Sequence, residues 1–453
     1  MDVINPATGE LEETYDTETA ADVDDALDDA TETFDRWQTR PLRERERLLA
    51  ATGEELRAND RSYAENITRE MGKPISQALD EIEKCAWVCD HYAEHASTYL
   101  NPDGHPSPPG AVAKTAYEPL GPQLAVMPWN FPFWQVFRFA APALTAGNVV
   151  VLKHASNVPG CAQAIENVFR RAGYPENAFQ TLLIESTLVD DVLEDERVRG
   201  VTLTGSGPAG RAVASTAGHQ LKKSVLELGG SDPFIVLDDA DVEAAAETGA
   251  SARMLNSGQS CIAAKRFLVH TDVYDAFLEQ FVDDVEALTV GDPTNPDTDV
   301  GPLASSTFLE ELDTQVEASL EAGGRAVTGG EPLDREGAYY PPTVLVDVPA
   351  GCPVDSQETF GPVAAVFEVE DETDALEKAN ETEFGLGASI WTDDRDRGRR
   401  LAREIDAGCV YVNQLVKSDP RVPFGGIKDS GFGRELSEAG IKEFVNRKTV
   451  WVE

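Results

Sequence analysis

Positive charge is scarce in this sequence. Of 453 residues, 38 are Lys or Arg against 81 Asp or Glu, for a formal net charge of -43. Surfaces that hold nucleic acid or an anionic membrane need clustered cations, so neither is expected as a partner. Lysine is the scarcer base, 12 residues against 26 arginines. So large an acidic excess suits a halophilic cytosol, where molar salt shortens the screening length to about 3 Å. Cysteine is also sparse. Cys85, Cys89, Cys161, Cys261, Cys352 and Cys409 are spread over a long chain, which argues against a disulfide framework and for a reducing, cytoplasmic compartment. The opening MDVINPATGELEETY is neither cationic nor apolar, so no secretory leader is expected there. Long apolar runs are missing too: the most apolar stretch, residues 136–152, is interrupted by Arg138, Pro142 and Gly147.

The composition that remains, 41% apolar and 26% charged, is that of a globular chain, and its length exceeds what one core serves, so two or three domains are expected. Residues 17–100 alternate acidic and apolar positions at helical spacing, predicting amphipathic surface helices. NPDGHPSPPG (101–110) punctuates the chain and is followed by the strand-like AVAKTAYEPLG. From residue 121, short β runs alternate with helices: QLAVMPW, NVVVLKH, QTLLIE, RVRGVTLTG and KKSVLELGG are the strands. That alternation predicts an α/β fold with a doubly wound parallel sheet, and a second α/β unit restarts after SDPFIVLDDA.

Four segments could carry chemistry. Gly205-Ser206-Gly207-Pro208-Ala209-Gly210 follows a strand and opens a helix, the setting of a phosphate-binding glycine loop, although a tight turn alone would read the same. Glu227 stands where such a fingerprint wants an acid for the ribose. Cys261, in NSGQSCIAAKR, is either a small buried hydrophobe or a nucleophile. Asn130, held between Pro128 and Pro132, is either a turn residue or an amide donor to a developing oxyanion. His91 and His95 stand one helical turn apart, behind Cys85 and Cys89, but lack HExxH or paired CxxC spacing, and no metal site is expected.

Taken in order, PWNFP (128–132), VLKHAS (151–156), TGS (204–206), LELGG (226–230), GQSC (258–261), ETFGPV (358–363) and PFGG (423–426) resemble the NAD(P)-dependent aldehyde dehydrogenase superfamily over essentially the whole chain. The intervals fit as well, with 34 residues from Glu227 to Cys261 and 97 more to Glu358. Within it, the sequence is most similar to the short bacterial-type succinate-semialdehyde dehydrogenases.

The resemblance implies two doubly wound parallel-sheet domains plus a small β oligomerisation arm. Residues 1–100 and 120–229 would form the cofactor-binding domain, 230–430 the catalytic domain, and 101–119 with 431–453 the arm of a homodimer or homotetramer. It also implies Cys261 as nucleophile toward an aldehyde, Asn130 and the Cys261 N–H as the oxyanion hole, and Glu227 as the base that activates water, in preference to a ribose-binding role. NAD or NADP would be held by Trp129, Lys153, Ser156, Gly205, Ser206, Glu358 and Phe360. NAD-preferring members commonly have Glu where Ser156 stands, so a 2′-phosphate should be tolerated. Arg138 would read a substrate carboxylate, with Ser418 and Phe424 beside it. A second arginine used by some relatives is replaced by Leu255, leaving a single-armed clamp or another aldehyde as alternatives.

Overall fold

A computed structural model describes residues 1–453. Its first large sheet contains the parallel strands Pro122–Met127, Val149–His154, Phe179–Thr181, Gly200–Thr204 and Lys223–Glu227. The chain builds outward from Pro122–Met127 in one direction and then returns to build in the other, so the strand order reverses beside that strand. At such a switch point the loops leaving two neighbouring strands diverge and open a crevice. Here those loops carry Trp129 and Asn130 on one side and Gly205 and Ser206 on the other.

The second sheet is seven-stranded, with Ala264–His270 and Asp232–Val236 at its centre. Its strands run parallel except Arg325–Thr328 at one edge. The central strands are buried along nearly their whole length, Lys265 and Arg266 included. The third sheet joins Asp103–His105, Val112–Pro119 and Val445–Val452 antiparallel, leaving Val112, Trp451 and Val452 exposed.

Three elements depart from the sequence expectations. The helix Ile75–Tyr99 is a core element rather than a surface one, with Ala78, Ile82, Cys85, Cys89 and Tyr92 fully buried. Its buried Glu81 and partly buried Lys84 gave it the look of a polar face. Residues 431–453 do not form one arm: Gly431–Phe432 pairs antiparallel with Leu226 and Glu227 of the first sheet, and only Val445–Val452 reaches the third. Gly431 permits that approach, because at its φ of +107° a Cβ would lie 2.1 Å from the Leu226 carbonyl. Finally, the N-terminus forms a hairpin of Asp2–Ile4 with Leu11–Thr14, which the charged sequence does not announce. No helix is long and apolar enough to cross a membrane.

Candidate active site

Cys261 follows the helix Val242–Met254 through a sharp reversal. Asn256, Ser257 and Gly258 take φ values of +56°, +53° and +72°. Left-handed backbone at two non-glycine residues is costly and persists only when neighbours enforce it. Here they do: the Asn256 amide donates to the carbonyls of Asn130 (2.7 Å) and Gln259 (3.1 Å), and Ser257 Oγ donates to the Gly301 carbonyl at 3.0 Å. Lys265 Nζ then donates to the Cys261 carbonyl at 2.7 Å and the Ser260 carbonyl at 3.0 Å. The sulfur is thus presented by a braced loop. Neither Asn256 nor Lys265 was singled out from the sequence; the only signal was a cation and an amide in otherwise small, apolar surroundings.

Asn130 lies on the other side of this loop, its Nδ2 donating to the Gln259 carbonyl at 3.1 Å, and it lines the same cleft as Cys261. An amide nitrogen carries two protons, so one remains for a second acceptor. Burial pushes the Cys261 thiol up to about 12, partly offset by Arg138 and Lys265. The thiol is therefore neutral at pH 7. Attack requires that it give its proton to a base or that positive charge enter the cleft beside it.

Glu227 closes the strand Lys223–Glu227, three residues before Gly230, whose Cβ position would lie 2.8 Å from the Cys261 carbonyl. Its carboxyl is buried, and neither oxygen has a hydrogen-bond partner. Burial, with neighbouring Glu435 adding to it, holds the group well above the usual carboxylate range, against Arg138 and Arg434. It is therefore harder to ionise than an ordinary carboxylate. Gly425 leaves room for it, since a Cβ there would stand 2.6 Å from Glu227 Oε1.

A cleft of about 390 Å³ runs outward from Cys261, lined by Trp129, Asn130, Gly205, Ser206, Glu358 and Phe360 among others. Trp129 stacks on Phe308 at 4.6 Å and meets Phe360 edge-on at 5.7 Å. Phe308 is a further wall residue that sequence reading missed. Ser206 caps the helix Gly207–His219 without a side-chain bond to it, so the amides of that first turn stay open to an anion. Glu358 accepts from the Gly230 N–H at 3.1 Å and lies 3.6 Å from Lys265. Lys153, at the end of its strand, is 9% exposed with no protein hydrogen bond from its ammonium. Burial lowers its pKa, with Glu185 opposing. Ser156 is exposed on the loop just beyond. A buried cation without a partner, open helix amides and an aromatic wall fit a dinucleotide.

On the inner side of Cys261 is a second, narrower cavity of about 100 Å³, lined by Arg138, Ser418, Phe424, Leu255, Trp134 and Lys84. Arg138 does not enter it as a free guanidinium. It pairs with the buried Glu435, donates to Thr204 Oγ1 at 3.1 Å and lies 5.1 Å from the Phe424 ring. Arg138 thus borders the cavity with much of its charge answered by Glu435 inside the protein. Ser418 Oγ accepts from Trp134 Nε1 (3.0 Å) and Lys84 Nζ (2.9 Å). His91 and His95 lie elsewhere, their rings stacked at 4.6 Å and His91 Nε2 3.1 Å from Tyr99 Oη.

The fold and this cleft define an oxidoreductase of the dinucleotide-dependent kind, with a cysteine at the junction of two α/β units. The family model "Aldehyde dehydrogenase family" matches residues 1–450, and the chain belongs to that family. It is 51% identical over 449 residues to a probable NADP-dependent succinate-semialdehyde dehydrogenase of Synechocystis sp., covering 99% of each chain. It is 50% identical over 453 residues to the NADP-dependent succinate-semialdehyde dehydrogenase of Mycobacterium leprae, again covering 99% of each. Among solved structures, it superposes with a TM-score of 0.97 on the succinic semialdehyde dehydrogenase of Streptococcus pyogenes in complex with NADP+, at 37% identity, covering 100% of this chain and 99% of that one.

Proposed function

We propose that this enzyme oxidises succinate semialdehyde to succinate with NADP as the hydride acceptor. The observation that carries the reading is the position of Cys261, shared by a cleft fit for a dinucleotide and a narrow cavity whose walls include Arg138, Lys84 and Ser418. The names of its half-identical relatives support the same substrate and cofactor.

The residues divide the work. Cys261 gives its thiol proton to solvent, its Sγ bonds to the aldehyde carbon, and the carbonyl oxygen takes up negative charge that the Asn130 amide and the Cys261 N–H stabilise. When bound, the nicotinamide supplies the acceptor for the hydride that leaves this carbon. The carbon–sulfur bond is then a thioester. Glu227, once deprotonated, takes a proton from water, the resulting hydroxide adds to the thioester carbon, and the Cys261 sulfur departs with the carboxylic acid as product. Lys153, Gly205, Ser206, Trp129, Glu358 and Phe360 hold the cofactor. Ser156 offers no carboxylate to repel a 2′-phosphate, which favours NADP. The exposed arm strands 112–119 and 445–452 serve a homodimer or homotetramer, and the cysteine usage fits a cytoplasmic enzyme.

The test is a panel of aldehydes in molar KCl with each cofactor. Succinate semialdehyde with NADP should give the highest kcat/KM, and Cys261→Ala should reduce NADPH formation to background. A variant that kept turning over would end the cysteine mechanism, and butanal outrunning succinate semialdehyde would end the substrate assignment.

A further inference from the structure

We propose that Lys84 is the second arm of the carboxylate clasp, working with the hydroxyl of Ser418 to grip the far end of the substrate. The inference rests on the substrate reading above. It starts from an imbalance. Arg138 is already paired with Glu435, and Leu255 offers no charge, so the cavity needs another cation if a second carboxylate is to lie in it.

Two lysines remain in its wall: Lys417 is exposed to solvent, and Lys84 is the one withdrawn into the protein. It projects from the helix Ile75–Tyr99 into the cavity wall, with its ammonium 4.4 Å from the centre of the Trp134 indole. No carboxylate lies within ion-pair distance of it, in contrast to Lys73 on the preceding loop, which takes Glu81 for itself. An ammonium removed from bulk water and left without a counter-charge is unfavourable, and a bound carboxylate would relieve that cost. Of its three protons, one goes to Ser418.

Ser418 strengthens the argument. Its oxygen accepts from both Trp134 Nε1 and Lys84 Nζ, which fills its two lone pairs. Its own proton has no acceptor in the protein and must be donated to something else. The cavity therefore presents an ammonium and an obligate hydroxyl donor side by side, a pair suited to two oxygens of one carboxylate.

Several charges bear on Lys84: Arg138 from its own helix, Cys85 and Glu81 on the helix that carries it, and Asp419 in the loop after Ser418. Burial is the largest influence and Arg138 adds to it, so the ammonium is pushed down to about 8. It is charged below that pH and neutral above it.

The experiment compares succinate semialdehyde with butanal, which has the same carbon count and no carboxylate, in the parent enzyme, Lys84→Met and Lys84→Arg. Lys84→Met should lower kcat/KM for succinate semialdehyde about 10- to 100-fold, mostly through KM, with a far smaller loss for butanal. Lys84→Arg should recover part of the loss. In the parent, kcat/KM for succinate semialdehyde relative to butanal should fall as the pH rises through about 8, and Lys84→Met should flatten that ratio. Inhibition by succinate, measured against butanal, should weaken in parallel. Equal losses on both aldehydes would make Lys84 a prop for Trp134 and Ser418, and an unaltered preference would also overturn the proposal. A parent enzyme with no preference for succinate semialdehyde would instead sink the substrate reading, and this inference with it.

Discussion

Arg138 and Glu435 are both buried, and each is the other's charge partner. Removing one member of such a pair leaves an uncompensated charge in the interior, at about 3–5 kcal/mol. Arg138→Leu should therefore lower unfolding free energy by about that amount in denaturant melts, whatever it does to KM. Adding Glu435→Gln should recover most of the stability. A single variant that melts like the parent would show that Glu435 finds another partner or a proton. Asn130→Ala should cost about 10²–10³ in kcat, the usual loss for one oxyanion donor, with little change in cofactor affinity. Burial and Glu435 make Glu227 harder to ionise than an ordinary carboxylate. As pH rises its proton leaves, so thioester hydrolysis should accelerate with rising pH. Glu227→Gln should abolish that rise and leave a single-turnover burst of NADPH, which stopped-flow absorbance would record. At this scale the sequence singled out Cys261, Asn130 and Glu227, and the fold brings Asn130 and Cys261 to one cleft. It was silent on Lys84, Asn256 and Lys265, whose importance comes from what lies opposite them.

Among the elements, the helix Trp134–Ala146 connects the oxyanion loop to the substrate cavity. Its N-terminus is not capped by its own flank. Instead Glu81 accepts from the Phe133 and Trp134 N–H groups at 2.9 and 3.0 Å, while also pairing with buried Lys73. Lys73 in turn lies 3.7 Å from the centre of the Phe131 ring, next to Asn130. One carboxylate thus satisfies a helix end and a buried ammonium together. Glu81→Ala should destabilise the fold by about 3–5 kcal/mol and lower kcat, both checked on one preparation by thermal melts and steady-state rates. Normal kcat in a destabilised variant would separate the helix from the oxyanion loop. The strands of the first sheet were readable because their buried centres are runs of mostly apolar residues; Thr343–Val346 and Gly387–Trp391 of the second were not singled out. The helix Ile75–Tyr99 was misread because its interior Glu and Lys are answered by partners far away in sequence.

For the molecule as a whole, the dominant fact is charge. A net -43 makes like charges oppose both compaction and subunit contact, and short-ranged screening would relieve that repulsion. Thermal midpoint and activity should rise with KCl toward molar concentration, and the apparent size in gel filtration should shift toward an oligomer over the same range. A midpoint indifferent to salt would remove the halophilic reading. The exposed apolar residues Val112, Trp451 and Val452 on the third sheet mark the face where such an assembly would form.

The sequence alone determined the α/β class and the family resemblance and singled out the candidate reactive residues, because local periodicity and short ordered motifs are properties of neighbours along the chain. Only the tertiary structure decided where charge is answered and where it is left open. Burial and pairing join residues 52 to 334 positions apart: Arg138 with Glu435, Glu81 with the start of a later helix, and Lys84 with Ser418 but with no carboxylate. A linear string carries no desolvation, and desolvation is what turns an ordinary lysine or glutamate into a functional one.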